Sequence, residues 1–169
     1  MSDSEPIIAL ENVYKIFGPN PRGRAFDLCS AGVGKDEVQR QTGHVVGMRD
    51  ISFEVQKGEI FVVMGLSGSG KSTAIRTVNK LHDVTHGRVL VEGIDVQQLR
   101  GAALQAFRRE KTAMVFQHFA LFPHRNVIDN TAYGLKVQGV DKKERHEAAI
   151  EALAMVGLEA YAFNATRQL

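Results

Sequence analysis

Apolar residues follow two rhythms along this chain of 169 residues. The first is strand-like: alternating or continuous short runs bounded by glycine, proline or asparagine. Residues 7–10 and 13–17 read as a first strand region, stopped by Gly18-Pro19-Asn20-Pro21. Residues 45–55 alternate and predict a second strand, and Lys57-Gly58 predicts a turn. Glu59 opens the short apolar run Ile60-Phe61-Val62-Val63-Met64, whose β-branched and aromatic members predict a buried strand over residues 59–64. Residues 88–92, a turn at Gly93 and residues 94–96 predict a hairpin, and residues 112–116 predict one more short strand.

The second rhythm is helical. Ile75, Val78 and Leu81/His82 recur at helical spacing, as do Leu99, Ala103 and Phe107. Asn126 is placed to cap a helix carrying Val127, Thr131 and Leu135. Asp141-Lys142-Lys143-Glu144 is a capping box that opens a helix through Ile150, Leu153 and Val156, with Gly157 as its stop. Between the first two strands, residues 18–43 are polar, glycine-bearing and weakly periodic. They read as an inserted surface loop or as a specific contact, with a short helix over 36–41 stopped by Gly43. Residues 119–123 read as an aromatic loop.

One stretch carries chemistry. Gly65-Leu66-Ser67-Gly68-Ser69-Gly70-Lys71-Ser72-Thr73 meets every fixed position of G-x-x-x-x-G-K-[ST], between a predicted strand and a predicted helix. A chain turning there around a polyphosphate needs glycines, because a Cβ would block the turn and the approach of the ligand. Backbone N–H groups of the loop and of the helix start face the anion. Lys71 brings a compact charge to the β- and γ-phosphates, the Ser72 hydroxyl is a Mg²⁺ ligand, and Thr73 is a further phosphate contact. The glycine order G-x-x-G-x-G excludes the dinucleotide pattern G-x-G-x-x-G.

Composition changes this picture little. The net charge of +2 argues against an obligate nucleic-acid binder. Cys29 is the single cysteine, so no intrachain disulfide or cysteine metal cluster forms, and a reducing compartment fits. The start, Met1-Ser2-Asp3-Ser4-Glu5, is not a signal peptide, and the apolar runs are too short to span a membrane. Asn164-Ala165-Thr166 fits a glycosylation acceptor, which carries no meaning in a cytosolic chain.

Further residues bring a family into view. Lys15-Ile16-Phe17-Gly18, the phosphate loop, Gly87-Arg88-Val89, Val115-Phe116-Gln117 and Phe119-Ala120-Leu121-Phe122-Pro123-His124 follow in order. Together they resemble the ATP-binding subunit of an ATP-binding-cassette (ABC) transporter, over essentially the whole chain. The insert after Phe17, Thr42-Gly43-His44-Val45-Val46-Gly47 and the phosphate loop resemble the glycine betaine/proline importer branch.

The resemblance implies an α/β P-loop core of ABC type with an antiparallel β subdomain, over 1–117 with an inserted loop at 18–43. Residues 118–169 are then the beginning of a helical subdomain. It implies that Phe17 stacks on adenine, with Tyr14 the competing aromatic and more naturally a cross-strand core residue. Gln117 matches the family's Q-loop glutamine, which contacts Mg²⁺ or the attacking water and links the site to the membrane partner. The resemblance also places residues 118–137 where the family docks on its permease, with Phe119, Leu121 and Phe122 either an exposed docking patch or core. The implied cofactors are ATP and Mg²⁺. The implied partners are a membrane permease and a second ATP-binding subunit, with no nucleic acid, at the cytoplasmic face of the membrane. The implied function is to power import of a compatible solute. Another amino acid or small solute, or a non-hydrolysing nucleotide-binding module, is the alternative.

The chain departs from the family pattern after Gln117. No apolar run ending in Asp-Glu follows, no switch histidine can be assigned, and the chain reaches Leu169 where a Ser-Gly-Gly signature is expected. On the resemblance it reads as the N-terminal portion of a longer subunit, an ABC-type transport ATPase that hydrolyses ATP in its full-length form, while these residues alone bind ATP without hydrolysing it. A regulatory GTPase is disfavoured, since Asn79-Lys80-Leu81-His82 misses the Asn-Lys-x-Asp guanine pattern. A small-molecule kinase is disfavoured too, because no arginine-rich lid follows.

Overall fold

The computed structural model describes residues 5–117 and 121–168. The chain divides into two compact units, Met1–Leu104 and Gln105–Leu169. The first holds an antiparallel sheet of four strands in the order β2-β1-β3-β4. These are β1 (Ile8–Phe17), β2 (Val45–Val55), β3 (His86–Val91) and β4 (Ile94–Asp95). β1 lies in the middle and sends Leu10, Val13 and Ile16 into the core, where they meet Met48 and Val55 of β2 and Val89 and Val91 of β3. The β3–β4 turn is Glu92-Gly93, both with positive φ. Two successive left-handed residues match the twist of a tight hairpin.

The insert is more ordered than its composition suggests. Residues 18–43 hold two helices, α1 (Arg24–Ser30) and α2 (Lys35–Thr42), where a loop with one short helix is expected. Ala25, Cys29 and Val38 are buried with Ile16, and Tyr14, Phe26, Leu28, Val33 and Val46 pack around them. The pair is therefore held by a small apolar cluster that no long periodic run announces. Gly43 ends α2 in the left-handed conformation, as expected. His44 then fastens the two ends of the insert, its ring nitrogens 2.8 Å from the Thr42 carbonyl oxygen and 2.5 Å from that of Pro19.

Two expected strands are absent. Residues 59–64 and 112–116 form no strand, and Ile60 and Val115 are 91% and 96% exposed. A buried strand needs backbone partners beside it and cover on its faces, and no strand runs alongside either segment among the described residues. Phe61 finds partial shelter by stacking on Phe53 of β2, with ring centroids 4.8 Å apart. Helix α3 (Lys71–Val78) forms after the phosphate loop, but its faces differ from expectation. Ala74 and Thr77 are buried, whereas Ile75 and Leu81 stay half-exposed.

Beyond α3, buried polar groups are paired. Lys80 is only 7% exposed, and its ammonium donates to the carbonyl oxygens of Gln97 (2.9 Å) and Leu99 (2.6 Å). The Gln97 amide accepts from Val84 N at 3.1 Å and donates to Thr77 O at 3.3 Å. These bonds join the end of α3 to the segment after β4, so burial there leaves no donor stranded. Helix α4 (Gly101–Glu110) forms where a helix is expected, but of the expected stripe only Phe107 is buried in it: Leu99 precedes the helix and Ala103 is exposed.

In the second unit α5 (Val127–Thr131) and α7 (Lys142–Met155) pack through Val127, Ile128, Ala149 and Leu153, with Ala132 and Ala162 in the same cluster, while α6 (Tyr133–Val137) buries none of its residues. The expected single helix after Asn126 is two short ones, broken at Ala132. Asn126 caps α5, accepting from Asp129 N at 3.0 Å, and Asp141 caps α7, accepting from Lys143 N at 2.8 Å. The expected capping box is not completed, since Asp141 N donates no hydrogen bond to the Glu144 side chain among the described residues. Gly157 closes α7 with a positive φ, while Val156 of the expected buried stripe is exposed.

Candidate nucleotide site

The phosphate loop runs from Gly65 into α3, whose first residue is Lys71. Gly70 precedes it at φ +95°, and a Cβ there would run into the Gly47 carbonyl oxygen of β2. Only glycine accepts both conditions. The Lys71 ammonium folds back over the loop and donates to Gly65 O at 2.8 Å, Leu66 O at 2.7 Å and Ser69 Oγ at 3.4 Å. It thus ties the start of α3 to the far limb of the loop, and holds a positive charge inside the ring of backbone. Ser67, Gly68 and Ser69 form the exposed crest, Thr73 is half-buried, and Ser72 is exposed in the first turn of α3. The Ser72 hydroxyl makes no hydrogen bond among the described residues, so it is open to a cation or phosphate. Gly65, Gly68, Ser69, Gly70 and Lys71 line a cavity of about 710 Å³ together with Gly47 and Met48 of β2.

Phe17 closes β1, half-buried. Lys15 Nζ lies 4.8 Å from its ring centroid, within cation–π reach, and the His82 ring meets it edge-on at 5.4 Å. Burial holds the Lys15 ammonium below the usual lysine range, partly offset by Asp83. Burial also lowers the His82 imidazole, helped by the positive charges of Lys15 and Arg76. Tyr14 sits elsewhere, in the insert's aromatic cluster, edge-on to Phe26 at 5.2 Å and to His86 at 6.1 Å.

Gln117 belongs to the second unit and is exposed. Phe119 lies outside the described residues. Of the remaining docking candidates, Leu121 is half-exposed and Phe122 packs on Tyr133 at 4.5 Å, with the Arg125 guanidinium over both rings. Asn130 holds this loop: it accepts from Phe122 N at 2.8 Å and donates to Phe122 O at 3.1 Å and Asn126 O at 2.9 Å. Nothing in its sequence context marks Asn130, because its partners are backbone atoms. Gly47 was legible only as part of a family-like string. No group of three or more histidine, cysteine or acidic side chains suited to a metal exists among the described residues. No helix among them is long and apolar enough to cross a membrane.

A phosphate loop beside an antiparallel sheet, followed by a helical unit, is the architecture of an ATP-binding cassette. The solved dimeric cassette MJ0796, in a post-hydrolysis state bound to ADP and Pi, superposes with a TM-score of 0.77 at 26% identity, covering 96% of this chain and 62% of that one. Residues 48–169 match the ABC transporter family, and the chain belongs to it. It is 48% identical over 92% of its length to the glycine betaine/proline betaine transport system ATP-binding protein ProV of Escherichia coli. It is 48% identical over 94% of its length to the glycine betaine transport ATP-binding protein OpuAA of Bacillus subtilis. A trimethylamine N-oxide transport ATP-binding protein, TmoW of Ruegeria pomeroyi, is 44% identical over 90% of this chain and is covered to 44% of its own length. The chain spans 38% of the length of ProV and of OpuAA.

Proposed function

We propose that this chain supplies the ATP-binding face of a subunit that powers import of a compatible solute, glycine betaine or proline, through an ABC transporter. The observation that carries this is the Lys71-closed loop at the start of α3, within a chain nearly half identical to ATP-binding proteins named for that transport. In this reading the loop residues Gly65, Ser67, Gly68, Ser69, Gly70, Lys71, Ser72 and Thr73 hold the phosphates. Phe17 stacks on the adenine, and Ser72 and Gln117 are the Mg²⁺ contacts, Gln117 also serving catalysis. The exposed Ser72 hydroxyl and the positive, glycine-lined loop fit MgATP, which supplies the reactive phosphoryl group. Residues 1–117 then form the nucleotide-binding part and 118–169 the start of the helical subdomain. The partners are a permease and a second ATP-binding subunit, at the cytoplasmic face of the membrane. A relative named for trimethylamine N-oxide transport favours one alternative, import of another small solute.

These 169 residues bind MgATP without turning it over. Phosphoryl transfer to water needs a group that orients the water and charge that stabilises the transition state, and no Asp-Glu pair follows Gln117 to furnish the first. Titration of the chain with MgATP, beside a phosphate-release assay, tests both halves. Binding lost in Lys71→Ala and no phosphate above a buffer blank are expected. Release by the wild-type chain that vanishes in Lys71→Ala would show a hydrolytic apparatus within these residues.

A further inference from the structure

We infer that Gly47 is a positioning residue that sets the spacing between the base platform and the phosphate cradle. The inference rests on the assignment of Phe17 as the adenine-stacking ring. In the β1–β2 ladder Ile16 pairs with Val46 and Lys15 pairs with Met48. Gly47 is therefore the extra residue of a bulge, left without a partner on β1. Bulges re-aim the chain beside functional sites, and a glycine inside a strand marks close approach of other atoms.

Two groups close on this point. A Cβ on Gly47 would lie 2.7 Å from Cε2 and 3.3 Å from Cδ2 of the Phe17 ring. The Gly47 carbonyl oxygen, in turn, occupies the space a Cβ on Gly70 would need. Phe17 thus leans on the missing side chain of Gly47, while the last glycine of the phosphate loop leans on its carbonyl. One residue of β2 separates the ring that would take the base from the loop that would take the phosphates. Gly47 also lines the cavity shared with the loop. A side chain at 47 pushes the ring and leaves the carbonyl in place. It therefore penalises a ligand that must reach both ends and spares one that needs only the cradle.

The test compares MgATP with magnesium tripolyphosphate, which lacks base and sugar, on the full chain and on Gly47→Ala, Phe17→Ala and the double variant. Gly47→Ala should weaken MgATP by about 5- to 100-fold, the range expected when base stacking on an aromatic is lost. Tripolyphosphate affinity should stay unchanged, and Gly47→Ala should cost nothing further in the Phe17→Ala background. If Phe17→Ala weakens MgATP and Gly47→Ala does not, the role of Gly47 is overturned while the site assignment stands. If Gly47→Ala weakens both ligands alike, it acts on the cradle or the fold, and the inference is wrong. If Phe17→Ala leaves MgATP untouched, the stacking assignment itself falls. Should Gly47→Ala melt at a lower temperature, Phe17→Ala in the same chain should restore the melt; failure to restore it would show that the ring is not what the new side chain meets.

Discussion

β1 and residues 59–64 both read as strands and meet opposite fates. Both are rich in apolar and β-branched residues, which β1 interrupts with Glu11, Asn12 and Lys15 and residues 60–64 do not. β1 has β2 on one side and β3 on the other, and its Leu10, Val13 and Ile16 are sealed. Residues 59–64 have no strand beside them among the described residues, and Ile60, Val62 and Met64 stand in solvent. Apolar patterning therefore records a demand for burial rather than burial itself. The demand is met where antiparallel neighbours are present: β4 reaches β3 through a tight turn, β2 reaches β1 through the α1–α2 insert, and β3 returns to β1 from far along the chain. A strand that reads as buried on both faces needs strands beside it and cover above and below, and residues 59–64 lack the first among the described residues.

The contrast is broken most directly by substitution on each side of it. Leu10→Ala removes a fully buried side chain and should cost about 2–5 kcal/mol. Ile60→Ser should change the unfolding free energy by less than about 0.5 kcal/mol, as surface replacements do. Chemical denaturation of both variants measures the difference. Comparable losses would mean that residues 59–64 are packed in solution. The same contrast predicts self-association, because exposed apolar segments with unpaired backbone template contacts between chains. Sizing at increasing concentration should show growing oligomers and poor cooperativity on heating, and Ile60→Ser with Val115→Ser should delay both. A monomeric, cooperative melt of the unaltered chain would refute this.

A second pair of sites sharpens the comparison at smaller cost. Phe17 ends β1 beside a cavity-lining bulge, while Tyr14 is sewn into the insert's aromatic cluster. Loss of base stacking is worth ~1–3 kcal/mol in nucleic-acid systems. Phe17→Ala should accordingly weaken MgATP about 5- to 100-fold with little change in melting. Tyr14→Ala should lower melting and leave affinity nearly unchanged. The reverse pattern in a binding titration would move the stacking role to Tyr14.

What could be read beforehand follows the same physics. The phosphate loop was legible because its chemistry imposes fixed residue types at fixed spacing, and β1, β2 and the β3–β4 hairpin because each buries one alternating face. The caps at Asn126 and Asp141 were legible because they are local. Helix α1 was not, since Arg24–Ser30 holds on through Ala25 and Cys29 in a tertiary cluster rather than through a repeating stripe. Nor were Lys80, Gln97 and Asn130, whose partners are main-chain atoms up to 20 residues away. The half-exposed Ile75 and Leu81 show the limit of periodicity, which located a helix near them but not which face would find cover.

The smallest expected effect concerns a cap that needs no distant partner. Asp141 accepts a hydrogen bond from Lys143 N at the start of α7, and this bond and one from Lys142 N hold its carboxyl below the usual aspartate range. A carboxylate whose pKa is lower in the folded state stabilises the fold fully above its unfolded value, near 3.9. That contribution is lost as pH falls through the folded value. The carboxylate also faces the positive end of the helix, so protonation removes a favourable charge along with an acceptor. Acidification below about pH 4 should thus fray the first turn of α7, seen as lower protection of the amides of residues 142–144 relative to their intrinsic exchange rate at each pH, and a slight fall in helicity. Asp141→Asn keeps an acceptor that does not titrate, and should show the same protection on both sides of the transition. If wild-type and Asp141→Asn respond to acid identically at these amides, the cap is not what protects them.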